Sequence, residues 1–209
     1  MKKFILFDFD GVIGDTFHVA LEVFDLVFPG TTEEDLRSAF ETNINSWIAE
    51  QKVKNKKYRS DLHFSEEYSR VMQEKAAIFP NMAETLEQLS HSYNLAIISS
   101  NISDNVKKFL DTHSLTHYFT DILGTDDHDL KIEKIKMIFD KYHIQNADCI
   151  FITDSLGDIF EATHVGIGTV GVAWGFNSVE TLQKGNPFQI VHTPRELEDT
   201  IEKYFARTS

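Results

Sequence analysis

The chain has 209 residues, of which 42% are hydrophobic and 25% are charged, as in an ordinary globular protein. It is longer than an average domain of roughly 100 to 150 residues, so we expect one large core and one smaller insert. Asp and Glu outnumber Lys and Arg by 33 to 20, and the net charge of -13 repels nucleic-acid phosphates and anionic lipids. We therefore expect neither nucleic acid nor a membrane as a partner.

The cysteine content and the amino-terminal segment both favour a cytoplasmic location. The single cysteine, Cys149, cannot form an intrachain disulfide, and its apolar neighbours are typical of a buried strand. The first apolar run ends at Asp8 after four residues, which is too short for a signal peptide. No other segment has the length and apolarity of a membrane span.

Short apolar runs alternate with helical patterns through most of the chain. This alternation predicts an α/β fold in which helices flank a mainly parallel sheet. The predicted strands, in chain order, are residues 4–7, 95–98, 119–123, 150–153 and 169–173, with a weaker sixth at 188–191.

Residues 16–79 interrupt this alternation because they carry no strand pattern. We predict three amphipathic helices there, at residues 17–28, 32–51 and 65–79. The predicted division is a core formed by residues 1–15 and 80–209, and a helical cap formed by residues 16–79. A helical insert over a sheet edge suits a lid that closes on a site.

Polar side chains follow three of the predicted strands, where each strand ends. Asp8 and Asp10 follow the first, Ser99 the second, and Asp154 and Asp158 the fourth. Ligand sites in open α/β sheets lie beyond the carboxyl ends of the strands, so these side chains are expected to converge. A cluster of carboxylates needs a compensating cation, and Mg²⁺ with its preference for oxygen ligands is the first choice.

The spacing of Asp8 and Asp10 suits phosphoryl transfer. Residues i and i+2 leaving a strand point the same way, about 6.6 Å apart, so both carboxylates can reach one substrate. Gly11 then lets the backbone turn sharply and bring its amides near a phosphate. For the tetrapeptide alone, an ordinary turn after a strand is an equally good interpretation.

The ordered set of motifs resembles the haloacid dehalogenase superfamily. The first signature of that superfamily is a strand running into Asp-x-Asp-Gly and a further Asp, to which residues 4–16, FILFDFDGVIGDT, are similar. Residues 97–101, IISSN, resemble its second signature, and residues 150–158, IFITDSLGD, its fourth. The resemblance implies a Rossmann-like three-layer core with an inserted α-helical cap. Residues 172–177, VAWGFN, are similar to a segment of phosphoglycolate phosphatase-like members.

The third signature is a lone lysine at the start of the helix before the fourth strand. Lys131 is the first choice because it begins a helix-like stretch. The Lys-Pro pair common in the superfamily is absent, so Lys134 stays an alternative.

The resemblance implies a division of labour among the carboxylates. Asp8 is the nucleophile and a metal ligand, and Asp10 is the general acid and base whose backbone carbonyl also binds Mg²⁺. Asp154 completes the metal ligands of the protein, and Asp158 supports the metal or the lysine.

The resemblance assigns the binding of the transferred phosphoryl group to a second set of residues. The resemblance implies that Ser99 binds this group and that Lys131 neutralises charge on Asp8 and phosphate together. The remaining candidates for substrate binding are Gly11, Ser100 and Asn101.

The sequence therefore predicts a Mg²⁺-dependent phosphatase that hydrolyses a small phosphorylated metabolite, with phosphoglycolate or a sugar phosphate to be tried first. A phosphosugar mutase of the same superfamily would keep Asp8 and Asp10, and a non-catalytic phosphometabolite-binding module is a further alternative. A basic run at residues 52–59 is interpreted as a solvated loop, with contact to a substrate carboxylate or sugar as the alternative.

Overall fold

The computed structural model describes residues 2–41 and 44–208, except for the side chains of residues 45 and 208. Its main sheet has six parallel strands in the order β5-β4-β1-β6-β7-β8. These strands are β1 Phe4–Phe7, β4 Asn94–Ile98, β5 Phe119–Leu123, β6 Cys149–Thr153, β7 Gly168–Val172 and β8 Gln189–Val191. All six predicted strands are present within a residue or two of their expected limits, and the predicted α/β fold class is confirmed.

Helices cover the sheet on both faces, which makes the three layers. One face packs through Ile5 and Phe7 and the other through Phe4 and Leu6, so β1 is buried on both sides. The helices outside the insert are α5 Met82–Ser92, α6 Ser103–Thr112, α7 Lys131–Tyr142, α8 Leu156–His164, α9 Val179–Gln183 and α10 Glu196–Thr208. Helices α7 and α8 lie on the Phe4 face, and α5, α6 and α10 lie on the Phe7 face.

The strand register brings three strand ends to one level. Phe7, the last residue of β1, pairs with Ile97 of β4 and with Ile152 of β6. The residues that follow these three strands therefore emerge side by side at the carboxyl-terminal end of the sheet, next to its central strands.

The insert contains four helices in its described part, not the three that were predicted. These are α1 Phe17–Val27, α2 Glu33–Glu41, α3 Ile44–Lys54 and α4 Phe64–Lys75. The single helix predicted at 32–51 corresponds to α2 and α3, with residues 42–43 between them outside the described residues. The helix predicted at 65–79 ends at Lys75, because the chain then becomes extended.

The expectation of no strand within residues 16–79 is wrong at one point. Ala77–Ile78, β3, pairs antiparallel with Gly14–Asp15, β2. Two residues are too short to give an alternating pattern, and their pairing depends on a partner more than sixty residues away. The pair joins the last residues of the first motif, just before the insert begins, to the end of the insert.

The helices of the insert pack around an aromatic cluster that is continuous with the core on the Phe7 face of the sheet. The ring of Phe24 lies 4.8 Å from that of Phe64, 5.5 Å from that of Trp47 and 6.3 Å from that of Phe40, measured between centroids. Rings at these separations contribute packing beyond their buried area. The four helices are thus joined around Phe24, above the strand ends. Among the described residues, no helix has the length and apolar composition that a membrane crossing needs.

Candidate active site

The end of β1 places Asp8 beside a buried lysine. The Asp8 amide donates to the carbonyl of Ile152 at 2.9 Å and so extends the pairing with β6. Asp8 is 6% exposed, and its Oδ2 lies 2.7 Å from Nζ of Lys131, the first residue of α7. The same Nζ lies 2.7 Å from Oδ2 of Asp158, which also accepts a 2.7 Å hydrogen bond from the Thr153 hydroxyl. One ammonium group therefore bridges two carboxylates that come from different elements.

Asp154 follows β6 and packs against the backbone of two glycines, Gly11 and Gly175. A Cβ atom added at Gly11 would be 2.1 Å from Oδ2 of Asp154, and one added at Gly175 would be 2.2 Å from its Cβ. Gly11 also has a φ of +75°, where other residues are strained. Oδ2 of Asp154 accepts a 2.7 Å hydrogen bond from the Phe176 amide. Both glycines are thus needed for the close approach of two loops around this carboxylate.

Asp10 lies at the start of a tight turn, and its carboxylate accepts a hydrogen bond from a residue of the insert. The carbonyl of Phe9 accepts hydrogen bonds from the amides of Ile13 and Gly14, each at 3.0 Å, which closes the turn after β1. The Tyr68 hydroxyl, on α4, donates to Oδ1 of Asp10 at 2.7 Å. The orientation of the Asp10 carboxylate therefore depends on a residue of the insert.

The residues after β4 form a compact turn. Ser99 is fully buried, and its hydroxyl oxygen accepts a 3.0 Å hydrogen bond from the Asn101 amide. Ser100 is exposed, and both Ser100 and Asn101 line the cavity described below. Nδ2 of Asn101 lies 3.5 Å from Oδ2 of Asp10, at the outer limit of a hydrogen bond.

Lys134 has a different environment from that of Lys131. It is fully buried, and its Nζ donates to the carbonyl of Ser99 at 2.6 Å and to that of Gly124 at 3.3 Å. Both acceptors are backbone oxygens that follow β4 and β5. Lys134 thus joins two loops, whereas Lys131 faces carboxylates.

Burial dominates the electrostatics of the carboxylates. It raises the pKa of Asp8 well above its usual value, against the attraction of Lys131, and the charges of Asp158 and Asp154 add to the rise. It raises the pKa of Asp154 to about 7, although the Phe176 amide opposes the rise. Burial also lowers the pKa of Lys131, but Asp158 and Asp8 outweigh this effect, so the net shift is upward and the lysine stays charged. The cluster holds more negative charge than one ammonium group compensates.

This excess of buried negative charge fits a divalent cation. Hard cations such as Mg²⁺ prefer carboxylate and carbonyl oxygens, and Asp8, Asp10 and Asp154 offer both. Among the described residues, no three carboxylate, imidazole or thiol side chains come together as a ready-made metal cluster. The ligand set expected from the sequence needs only two carboxylates, because Asp10 contributes its backbone carbonyl. The donor chemistry is therefore compatible with Mg²⁺.

A cavity of about 790 Å³ separates the strand ends from the insert. We call its charged side the floor, which consists of Asp8, Asp10, Lys131, Asp154 and Asp158. We call the side formed by the insert the roof, which consists of Ala20, Phe24, Phe40, Glu41, Ile44, Ile48, Phe64, Ser65 and Tyr68. Phe176, from the loop after β7, lies between them and packs on Phe40 with ring centroids 4.9 Å apart.

Comparison with known proteins identifies the family. Residues 5–172 match the family model described as haloacid dehalogenase-like hydrolase. The chain belongs to this family. Its relatives include a phosphoglycolate phosphatase from Vibrio parahaemolyticus, 25% identical over 95% of this chain and 96% of that protein. Another, from Synechococcus elongatus, is 25% identical over 92% of this chain and 94% of that protein. A haloacid dehalogenase-like hydrolase from Streptococcus pneumoniae shares the fold, with a TM-score of 0.78 at 24% identity over 96% of this chain.

These comparisons confirm the family predicted from the motifs, and they confirm a hydrolase whose relatives are phosphatases. The residues expected at the site of a haloacid dehalogenase-like hydrolase do lie together. Asp8, Asp10, Lys131, Asp154 and Asp158 line one end of the cavity together with Ser100 and Asn101, and Gly11 lies directly against Asp154. Ser99 contacts this group through Asn101 and Lys134, and its side chain is buried beneath the cavity surface.

Sequence reasoning missed three residues near the haloacid dehalogenase-like motifs. Tyr68 and Glu41 lie on helices whose patterns indicate only amphipathic character, and Phe176 lies in a loop. Phe176 falls within the VAWGFN segment, so a signal existed for it. Trp174 in that segment is a packing residue instead, since its Nε1 donates to the Val12 carbonyl at 3.1 Å and its ring packs on Phe79.

Proposed function

We propose that this chain is a Mg²⁺-dependent phosphatase that hydrolyses a small phosphorylated metabolite through an aspartyl-phosphate on Asp8. The observation that supports this most directly is the Lys131 ammonium group, held 2.7 Å from both Asp8 and Asp158 at the floor of the cavity. It lies beside the proposed nucleophile, where charge on the phosphoryl oxygens would need compensation. The insert over the floor would serve as the cap, with residues 16–79 as its proposed limits.

The proposed first step is attack by a carboxylate oxygen of Asp8 on phosphorus. A bond forms between this oxygen and phosphorus, the ester bond breaks, and Asp10 donates its proton to the departing alkoxide. In the second step Asp10 takes a proton from water, whose oxygen attacks phosphorus. The bond between the Asp8 oxygen and phosphorus breaks, which releases inorganic phosphate and restores the Asp8 carboxylate.

The environment of Asp10 shifts its pKa in a way that suits both proton transfers. Burial raises the pKa of Asp10, while the hydrogen bond from Tyr68 lowers it. A group that first donates and then accepts a proton works best when its pKa is drawn toward the working pH. Mg²⁺, when bound by the carboxylates of Asp8 and Asp154 and the backbone carbonyl of Asp10, would supply positive charge for the phosphoryl oxygens.

A cytoplasmic location is part of the same proposal. Cys149 is fully buried in β6, where burial raises the pKa of its thiol. A thiol in this environment is unreactive, in keeping with a packing role.

The test is a screen of phosphorylated metabolites with Mg²⁺ present, which measures released phosphate and isomerised product separately. We expect phosphate release, whereas isomerisation without release would indicate a mutase and binding alone a non-catalytic module. Incubation with ³²P-labelled substrate and acid quenching should leave label on the peptide that contains Asp8. Excess chelator should abolish turnover and added Mg²⁺ should restore it, so full turnover in chelator would contradict the metal requirement.

A further inference from the structure

The roof of the cavity is built mainly of carbon surface. Its apolar members are Ala20, Phe24, Phe40, Ile44, Ile48 and Phe64. Its polar members are Glu41, Ser65 and Tyr68. The Tyr68 hydroxyl donates to Asp10 and the Glu41 carboxylate accepts from the Ser178 amide at 3.3 Å, so the remaining polar group is the small, uncharged Ser65 hydroxyl. A leaving group that extends from the phosphate toward the insert therefore meets aromatic and aliphatic side chains.

The roof also lacks positive charge. Among the described residues that line the cavity, Lys131 is the only cationic side chain, and it is held by two carboxylates on the floor. Positions 42, 43 and 45, whose side chains are outside the description, are Thr, Asn and Asn and carry no positive charge. In the basic run at 52–59, Lys54 pairs with Glu50 on the protein surface, and no residue of this run lines the cavity.

Glu41 adds a negative charge to this wall. Its hydrogen bond from Ser178 lowers the pKa of the carboxyl, so it is ionised at neutral pH. A carboxylate on the substrate would lose water against the roof, find no cation there and be repelled by Glu41. An apolar group in the same place would be stabilised by burial against the rings.

We infer that the preferred substrates are phosphate monoesters of uncharged apolar alcohols, with an aromatic or branched aliphatic group against the roof. Esters whose leaving group carries a carboxylate are disfavoured. This inference rests on the proposed phosphatase function and narrows its substrate class. It also separates the chain from the relatives named phosphoglycolate phosphatase, which it resembles at 25% identity.

The first test compares four esters of primary alcohols that share the same scissile bond: benzyl phosphate, ethyl phosphate, glucose 6-phosphate and 2-phosphoglycolate. We expect kcat/KM for benzyl phosphate to exceed that for ethyl phosphate by about 10-fold or more, which is the scale of selectivity of an apolar pocket. Phosphoglycolate should fall at least about 10-fold below ethyl phosphate because its carboxylate is unpaired.

The outcomes separate the inference from the function on which it rests. Equal or higher kcat/KM for phosphoglycolate or glucose 6-phosphate than for benzyl phosphate overturns the inference and leaves the phosphatase proposal intact. If the folded protein hydrolyses none of the four esters or the screened metabolites, both are overturned.

A charge variant of the roof supplies the second test. Ile48→Lys places a cation in the half-buried roof and should raise the ratio of phosphoglycolate to benzyl phosphate kcat/KM by about 10-fold or more. Val53→Lys is the matched control, because Val53 lies on the same helix, is 85% exposed and does not line the cavity. An unchanged ratio in Ile48→Lys, or an equal rise in Val53→Lys, overturns the inference. If Ile48→Lys does not fold, the ranking of the four esters by the wild-type chain decides alone.

Discussion

The floor and the roof of the cavity differ in how their side chains are held. On the floor, hydrogen bonds and ion pairs fix the groups, as when Lys131 bridges Asp8 and Asp158. On the roof, aromatic packing around Phe24 holds the side chains, and carbon surface faces the cavity. A polar, desolvated floor suits bond making and breaking, because interactions there are strong and little reorganisation is needed. A carbon-lined roof can distinguish leaving groups by shape and charge without changing the reaction.

The sharpest way to test this division is to remove the proposed nucleophile from the floor. Asp8→Asn should abolish turnover of every substrate, since an amide is a very poor nucleophile and no other carboxylate contacts Lys131 from the same strand end. The fold should survive because Lys131 keeps its pairing with Asp158. Turnover, thermal unfolding and acid-stable phosphate label should be measured together, and an active Asp8→Asn enzyme would overturn the role of Asp8.

Asp10→Asn should have the next largest effect. The substitution spares the backbone carbonyl and leaves an oxygen that can accept the Tyr68 hydrogen bond, so phosphate binding should survive. Proton transfer is lost, which lowers kcat by about 10² to 10⁴. The measurements are kcat and inhibition by inorganic phosphate. Wild-type kcat, or loss of phosphate inhibition equal to the loss of kcat, would contradict the assignment.

Two of the lysines of α7, Lys131 on the floor and Lys134 beneath it, offer a matched pair. Lys131→Met should lower kcat/KM by about 10² to 10³, because it removes a positive charge aimed at the reacting groups. Lys134→Met should act on stability, since the Ser99 and Gly124 carbonyls lose a buried donor, with a loss of about 1 to 3 kcal/mol in the free energy of unfolding. Denaturant unfolding and kinetics on both variants decide the matter. The reverse pattern would make Lys134 the lysine of the third signature.

The floor could be predicted from the sequence because its residues are defined by short-range features. Each follows a strand or begins a helix, and parallel strands bring such positions to one edge whatever the details of packing. The roof could not be predicted in this way. Whether Phe40 or Ile48 lines the cavity depends on how the amphipathic helices are oriented relative to one another. The pairing of Ala77–Ile78 with Gly14–Asp15 could not be predicted either, since a strand of two residues shows no periodicity. Long-range packing is where sequence patterns lose their predictive power.

Tyr68 is the residue in which roof and floor meet, and its removal should have the smallest effect. Tyr68→Phe deletes one hydrogen bond to Asp10 and keeps the ring packed on Phe64, whose centroid lies 5.9 Å away. A hydrogen bond to a charged group contributes about 1.5 kcal/mol or more, so we expect kcat to fall about 10-fold with little change in KM.

Ser69→Ala is the control for that prediction, because the neighbouring hydroxyl of α4 also bonds to the core but reaches Asn105 at 2.7 Å instead of Asp10. It should weaken docking of the insert without disturbing the orientation of Asp10, and therefore leave kcat close to that of the wild type. If both variants lower kcat equally, attachment of the insert is what matters and the bond to Asp10 has no separate role. If only Tyr68→Phe lowers kcat, the roof acts on the chemistry of the floor through this one hydroxyl, in addition to selecting the leaving group.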